Sequence, residues 1–237
     1  MRSVEADPKS RREPIIRAAF RVFGEAGIES TSLREVARTA DVSPALIVHH
    51  FGGKDGLVAA VDAAALREFG DAYRGGGPGD AGAPGAAGEG RDAPAGAEAA
   101  AGRDLLRERA AQTARVMGEM PDVCRYLGRA LVEGTAGSAA LLRMMVEAGR
   151  GEIDQLAGEG ALRPDADRLW ATLQHFFLIW APLSFMPLLR EQLGDDLLAP
   201  AQLERWVDAN VALLERGLYT EGGSRTGGGP EAKDGAG

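Results

Sequence analysis

Two adjacent histidines, His49 and His50, stand in the stretch DVSPALIVHHFGGKDGL, with Lys54 close behind them. Histidine pairs suit metal ligation or proton transfer. Their spacing argues against a shared metal ion, because neighbours on a helix point about 100° apart and cannot take one ion from a single face. No Cys, Asp or Glu lies four residues from either ring to complete a site. The third histidine, His175, lies in LQHFFLIW, an apolar run where such a residue belongs to a core or lines a ligand pocket. Cys124 is the single cysteine, so neither a disulfide within the chain nor a cysteine zinc cage is available. Beyond residue 100 there is no Gly-rich phosphate loop, nucleophile–base arrangement or paired metal-ligand set. The sequence therefore predicts no catalytic residue, no metal and no cofactor.

The residues around the histidines describe two short helices. Ser32-Leu33-Arg34-Glu35 has the form of a capping box, in which the serine hydroxyl and the Glu35 carboxylate satisfy each other's backbone amides. Leu33, Val36, Ala37 and Ala40 supply an apolar stripe. Ala40-Asp41-Val42 is a three-residue turn, after which Ser43 is the N-cap of a second helix and Pro44 takes its first position, where a missing N–H costs nothing. Ile47 and Phe51 face inward, whereas Pro44, Ala45, Val48, His49 and His50 face outward. Gly52-Gly53 ends this helix, and Lys54 opens the next with its charge beside free backbone amides, a placement suited to a phosphate. A preceding helix over 11–25 carries Ile15, Ile16, Ala19, Phe20 and Phe23 on one face and closes at Gly27. Two short helices joined by so tight a turn form a helix-turn-helix, whose second member enters the DNA major groove.

Charge distribution agrees with that reading. The 237 residues carry a net charge of −8, but residues 9–54 hold eight Lys/Arg against five acids. The remainder from 71 onward holds 17 basic and 25 acidic residues. The two ends do different jobs.

From Gly27 to Leu57, with the helix before it, the chain resembles the DNA-binding domain of TetR-family transcriptional regulators. Ser32, Arg34, Val36, Ala37, Val42, Ser43, His50, Phe51 and Lys54 fall at positions matching that family's pattern. The resemblance implies that Ser32, Arg34, Ser43, Pro44, Ala45, Val48, His49, His50 and Lys54 line the DNA. Arg34 would reach it from the helix before the turn, Pro44 and Ala45 would approach base edges, and His49, His50 and Lys54 would hold phosphates. Val48 and His49 stand where the family often has two tyrosines. Val48 cannot donate to a phosphate, although its methyls could meet a thymine methyl.

Elsewhere apolar residues recur every three and four positions without strand alternation, so the fold class is all-α. Helices are expected at 54–73, 103–119, 122–132, 137–158, 165–191 and 200–218. The domain plan is a three-helix DNA-binding unit over 9–69, with its helix-turn-helix at about 32–51. A flexible Gly/Ala/Pro-rich loop over 74–102 follows, then a helical effector-binding and dimerisation domain over 103–220 and a disordered tail over 221–237. The loop assignment rests on composition: residues 75–102 contain 23 Gly, Ala or Pro among 28, with no Leu, Ile, Val, Met or aromatic residue. No apolar run approaches the roughly 20 residues of a membrane span, and the N-terminus lacks the apolar region of a signal peptide, so a cytoplasmic location is expected.

Reading palindromic DNA requires two recognition helices, hence a homodimer. The surplus apolar surface of the last two long helices marks its interface at Trp170, Phe177, Trp180, Trp206, Leu213 and Leu214. Tyr126, Arg129, Met144, Met145 and His175 are candidates for lining a pocket. By resemblance to the family, that pocket would take a small hydrophobic effector and release a repressor from double-stranded DNA. The alternative is a DNA-binding dimer without any effector.

Overall fold

A computed structural model describes residues 8–75, 95–158 and 162–217. All its regular elements are α-helices: α1 (Pro8–Ala26), α2 (Leu33–Thr39), α3 (Pro44–Phe51), α4 (Lys54–Gly75), α5 (Ala95–Glu119), α6 (Pro121–Glu133), α7 (Ser138–Gly158), α8 (Arg168–Ser184), α9 (Met186–Leu193) and α10 (Pro200–Gly217). The all-α expectation holds. Residues 95–102, assigned to the loop by their composition, instead form the first two turns of α5. Five of those eight residues are alanine, the strongest helix former, and alanine outweighs the two glycines. The rest of the expected loop, 76–94, and the expected tail lie outside the described residues.

The N-terminal unit closes around α1. Ile15, Ala19, Phe20 and Phe23 are fully buried, together with Val36, Ile47, Leu57 and Val61 from α2, α3 and α4. Residues spaced three and four apart on α1 share one face, which is why Ile16, Ala19, Phe20 and Phe23 enter one core. Phe20 and Phe23 of the same helix also pack on Tyr126 of α6, so this core runs without interruption into the C-terminal bundle through Tyr126, Leu127 and Ala130. A second cluster, comprising Leu106, Ile153, Leu156, Ala171, Val211 and Leu214, fills the far end between α5, α7, α8 and α10.

The single helix expected over 165–191 is two. α8 stops at Ser184, and α9 leaves at 82° after Phe185. Pro182 and Pro187 flank the break. Each lacks an amide proton, and Pro187 restarts the helix in its first turn. The carbonyl of Leu183 is pressed against Gly128 of α6, where a Cβ would lie 2.5 Å away. Only glycine permits that approach of α6 to the end of α8. No single described helix is long and apolar enough to cross a membrane.

Candidate nucleic-acid interface and internal cavity

The two short helices form as their caps dictate. The Ser32 hydroxyl accepts from the Glu35 amide at 3.3 Å, and Glu35 Oε2 accepts from the Ser32 amide at 2.7 Å. The Ser32 backbone and hydroxyl together hold the Glu35 carboxyl below the usual carboxylate range. The Ser43 hydroxyl accepts from the Leu46 amide at 3.2 Å, and Gly52, at φ 79°, ends α3 in the left-handed conformation. Asp41, at φ 53°, makes the turn between α2 and α3. Ile47 and Phe51 are buried, as their spacing predicts.

The outward face of α3 presents Pro44, Ala45, Val48 and His49, with Val48 47% exposed, and Arg34 is exposed on α2. His50 does not join that face as expected. It is half-buried, its Nε2 is enclosed without a hydrogen-bond partner, and its ring packs edge-on against His49 and Phe51. Arg12 covers this side, donating to the His50 carbonyl at 2.8 Å with its guanidinium 4.5 Å from the centre of the Phe51 ring. Lys54 is not free either: its ammonium donates to the Glu29 carbonyl at 2.8 Å. Ser32 and Ser43 are exposed, with their hydroxyls engaged in the caps.

Two carboxylates that local reading missed tie this unit to the bundle. Glu133, at the end of α6, accepts from the amides of Ile28 and Glu29, both at 2.9 Å. Those amides follow Gly27, whose φ of 93° turns the chain so that both point at the carboxylate. Asp62 of α4 is 7% exposed; it accepts from the Tyr126 hydroxyl at 2.7 Å, the Thr135 hydroxyl at 3.1 Å and the Gly137 amide at 3.0 Å. Burial and the neighbouring Asp62 push the Tyr126 phenol up, so it remains a donor. A partner more than sixty residues away leaves no local trace, although one acid inside LVAAVDAAAL is a visible anomaly.

In the bundle, a cavity of about 140 Å³ opens between α4, α5, α7 and α8. Met144, Met145 and His175 line it as expected, with Phe69, Phe176 and Trp180. Its polar end is Glu152, whose carboxylate lies 3.3 Å from His175 Nε2 and 3.8 Å from Arg109. Tyr126 and Arg129 do not belong to this cavity. Tyr126 is turned toward Asp62, and Arg129 lines a separate cleft beside α9. Cys124 is fully buried, and burial pushes its thiol up to about 12, the opposite of what a redox sensor needs.

Of the residues expected at a subunit interface, Trp170, Phe177 and Leu213 are 57%, 52% and 58% exposed. Trp206 is half-buried, its indole donating to the Leu178 carbonyl at 3.3 Å. Trp180 and Leu214 turn inward instead. Trp180 packs edge-on against Phe69, and Leu214 joins the second core cluster. A helix apolar all round does not reveal which face meets its own bundle.

Residues 15–61, which contain the buried α1 face, the capped helix pair and Lys54, match the family described as "Bacterial regulatory proteins, tetR family". This N-terminal domain is thus similar to those of the TetR family. Its relatives include the HTH-type transcriptional regulator BetI of Brucella canis, 44% identical over 70 residues, which are 30% of this chain and 35% of that protein. BetI of Rhizobium meliloti is 43% identical over 61 residues, 26% of this chain and 30% of that one. The chain thus spans about a third of the length of the curated relatives it matches. The TetR-type fold extends much further than the sequence likeness. The ketosteroid transcriptional regulator KstR2 of Mycobacterium tuberculosis superposes with a TM-score of 0.62 at 15% identity, covering 92% of this chain and 98% of that one. A TetR transcriptional regulator from Chloroflexus aurantiacus gives 0.60 at 15% identity, over 90% and 98%.

Proposed function

We propose that this chain is a DNA-binding transcriptional regulator, most simply a repressor. It binds a palindromic operator as a homodimer, and a small apolar effector in the α4–α5–α7–α8 cavity releases it. The observation that carries the reading is the outward face of α3, held by its caps on a TetR-type domain. Pro44, Ala45 and Val48 offer the bases shape and methyl contacts rather than hydrogen bonds, and His49 and Arg34 stand beside them for the backbone. In the unbound protein Lys54 rests on the Glu29 carbonyl. A phosphate is a stronger acceptor, and the ammonium would exchange one oxygen for the other.

Two recognition helices set one or more helical turns apart need a second subunit. The exposed Trp170, Phe177 and Leu213 form the surface that favours self-association, and Phe177→Glu with Leu213→Glu is expected to shift the sedimenting species to a monomer. The cavity favours effector control over a dimer without effector. Phe69 and Gly70 of α4 form one wall of it, while Lys54 begins the same helix about 22 Å away. A ligand that fits better when α4 is tilted shifts the population toward a spacing of reading heads that no longer fits the operator.

The deciding experiment measures binding to genomic duplex fragments as a function of salt. Lys54→Ala should weaken all duplexes alike and lower the salt slope by about one unit, whereas Ala45→Arg should change which sequences are preferred. An unchanged slope in Lys54→Ala would remove the phosphate clamp from this account. A thermal-shift panel of apolar compounds tests the effector, since absence of any stabilising compound favours the dimer without one.

A further inference from the structure

A second cleft, of about 400 Å³, lies outside the apolar cavity, where α1 of the N-terminal domain meets α6 and α9 of the bundle. Its walls differ in kind from those of the first. Leu183, Met186, Pro187 and Leu197 give it an apolar part, and three arginines, Arg125, Arg129 and Arg190, line it as well. Two carboxylates oppose them, Glu25 at the α1 rim and Asp196.

The three arginines are not equally occupied. Arg125 is held by Asp122 at 3.3 Å and by Asp196 at 2.9 Å. Burial alone would push the Asp196 carboxyl up, but the Leu198 amide, Arg125 and the nearby Arg190 reverse this and hold it below its ordinary range. Asp196 is therefore a committed anion whose charge Arg125 already shares. Arg129 is half-buried in the cleft wall and makes no hydrogen bond or ion pair among the described residues. A half-buried guanidinium with five donors and no protein partner is available to an incoming acceptor. Arg190, exposed across the cleft, adds a second positive charge without a hydrogen-bonded partner of its own.

We propose that this cleft is a binding site for a small organic oxyanion, a carboxylate or phosphate on a compact apolar body. The head group is taken by Arg129 with Arg190, and the body lies on Leu183, Met186, Pro187 and Leu197. The fork of a guanidinium matches two oxygens of either head group, and the remaining apolar wall favours an aryl or short alkyl part over a free inorganic ion. The volume is that of an ordinary small-molecule pocket. Because α1 forms one wall and α6 and α9 the others, the occupant would touch both domains at once.

The test titrates the full-length protein calorimetrically with benzoate, phenyl phosphate and the uncharged benzyl alcohol. Binding of either anion but not of the alcohol is expected, and the tighter of the two identifies the preferred head group. Arg129→Gln should weaken that anion by about tenfold or more, the usual cost of a lost charge-assisted pair. Arg143→Gln, which removes an equal charge from an exposed position on α7, should leave the affinity unchanged. Arg129→Lys keeps the charge but loses the fork and should fall between, and it stands in for the glutamine variant should that one fail to fold. Equal binding of benzyl alcohol, unchanged affinity in the Arg129 variants, equal loss in Arg143→Gln, or no binding of either anion would each overturn the proposal.

Discussion

The reading head and the bundle are held together by different kinds of interaction. In α2 and α3 the decisive contacts are three residues apart: Ser32 with Glu35, and Ser43 with Leu46. In the bundle they are remote, as when Asp62 gathers Tyr126, Thr135 and Gly137 across 64 to 75 positions. Local caps fix where these short helices begin, and Val36, Ile47 and Phe51 anchor the pair on the core, which suits a unit that would present one rigid face to DNA. Remote contacts fix how helices sit against one another, and that is the geometry an effector would have to change.

Substitutions can test this contrast, beginning with the remote contacts. Asp62→Ala strands the buried Tyr126 hydroxyl and the Gly137 amide, while Thr135 keeps its contact with the Ser138 hydroxyl, and should lower stability in urea by about 3 kcal/mol. Glu133→Ala removes the shared acceptor of two amides at the joint between domains. It should cost about 2 kcal/mol, with amide exchange accelerating first at Ile28 and Glu29. Ser43→Ala should cost only about 1 kcal/mol. Its exchange protection should fall in the first turn of α3 and not in α6; a loss spread over both domains would break the distinction between local and remote support.

The smallest effect is that of pH on α2. Glu35 has its carboxyl lowered in the folded state, so the stability it contributes is present above its unfolded value and disappears as pH falls through the folded one. Between neutrality and about pH 5 the cap should be unaffected. Below about pH 4, α2 should fray in the wild type, while Glu35→Gln should show no such dependence.

How far the sequence could be read follows the same division. Ser32, Glu35, Ser43, Pro44 and Gly52 encode their own geometry, because a cap or a left-handed turn needs nothing beyond its neighbours. The face of α8 was not readable in this way. Trp170, Phe177 and Trp180 share a helix that is apolar all round, and only the seating of Phe69 shows that Trp180 turns inward. The break at Phe185 had two prolines to announce it, yet either proline alone is compatible with a continuous, kinked helix. His50 was assigned outward by its spacing, but Arg12, thirty-eight residues earlier, covers it. The apolar cavity was half legible: Met144, Met145 and His175 were found, and Glu152 was not. Tyr126 and Arg129 face other partners that no spacing rule reveals.

The enclosed thiol of Cys124 has a practical consequence. It is the chain's single cysteine, it sits where α6 meets the rest of the core, and its high pKa leaves almost no thiolate at neutral pH. Alkylating reagents can reach it only when that packing opens, so its labelling rate is a built-in clock for opening of the bundle, one that needs no engineered probe.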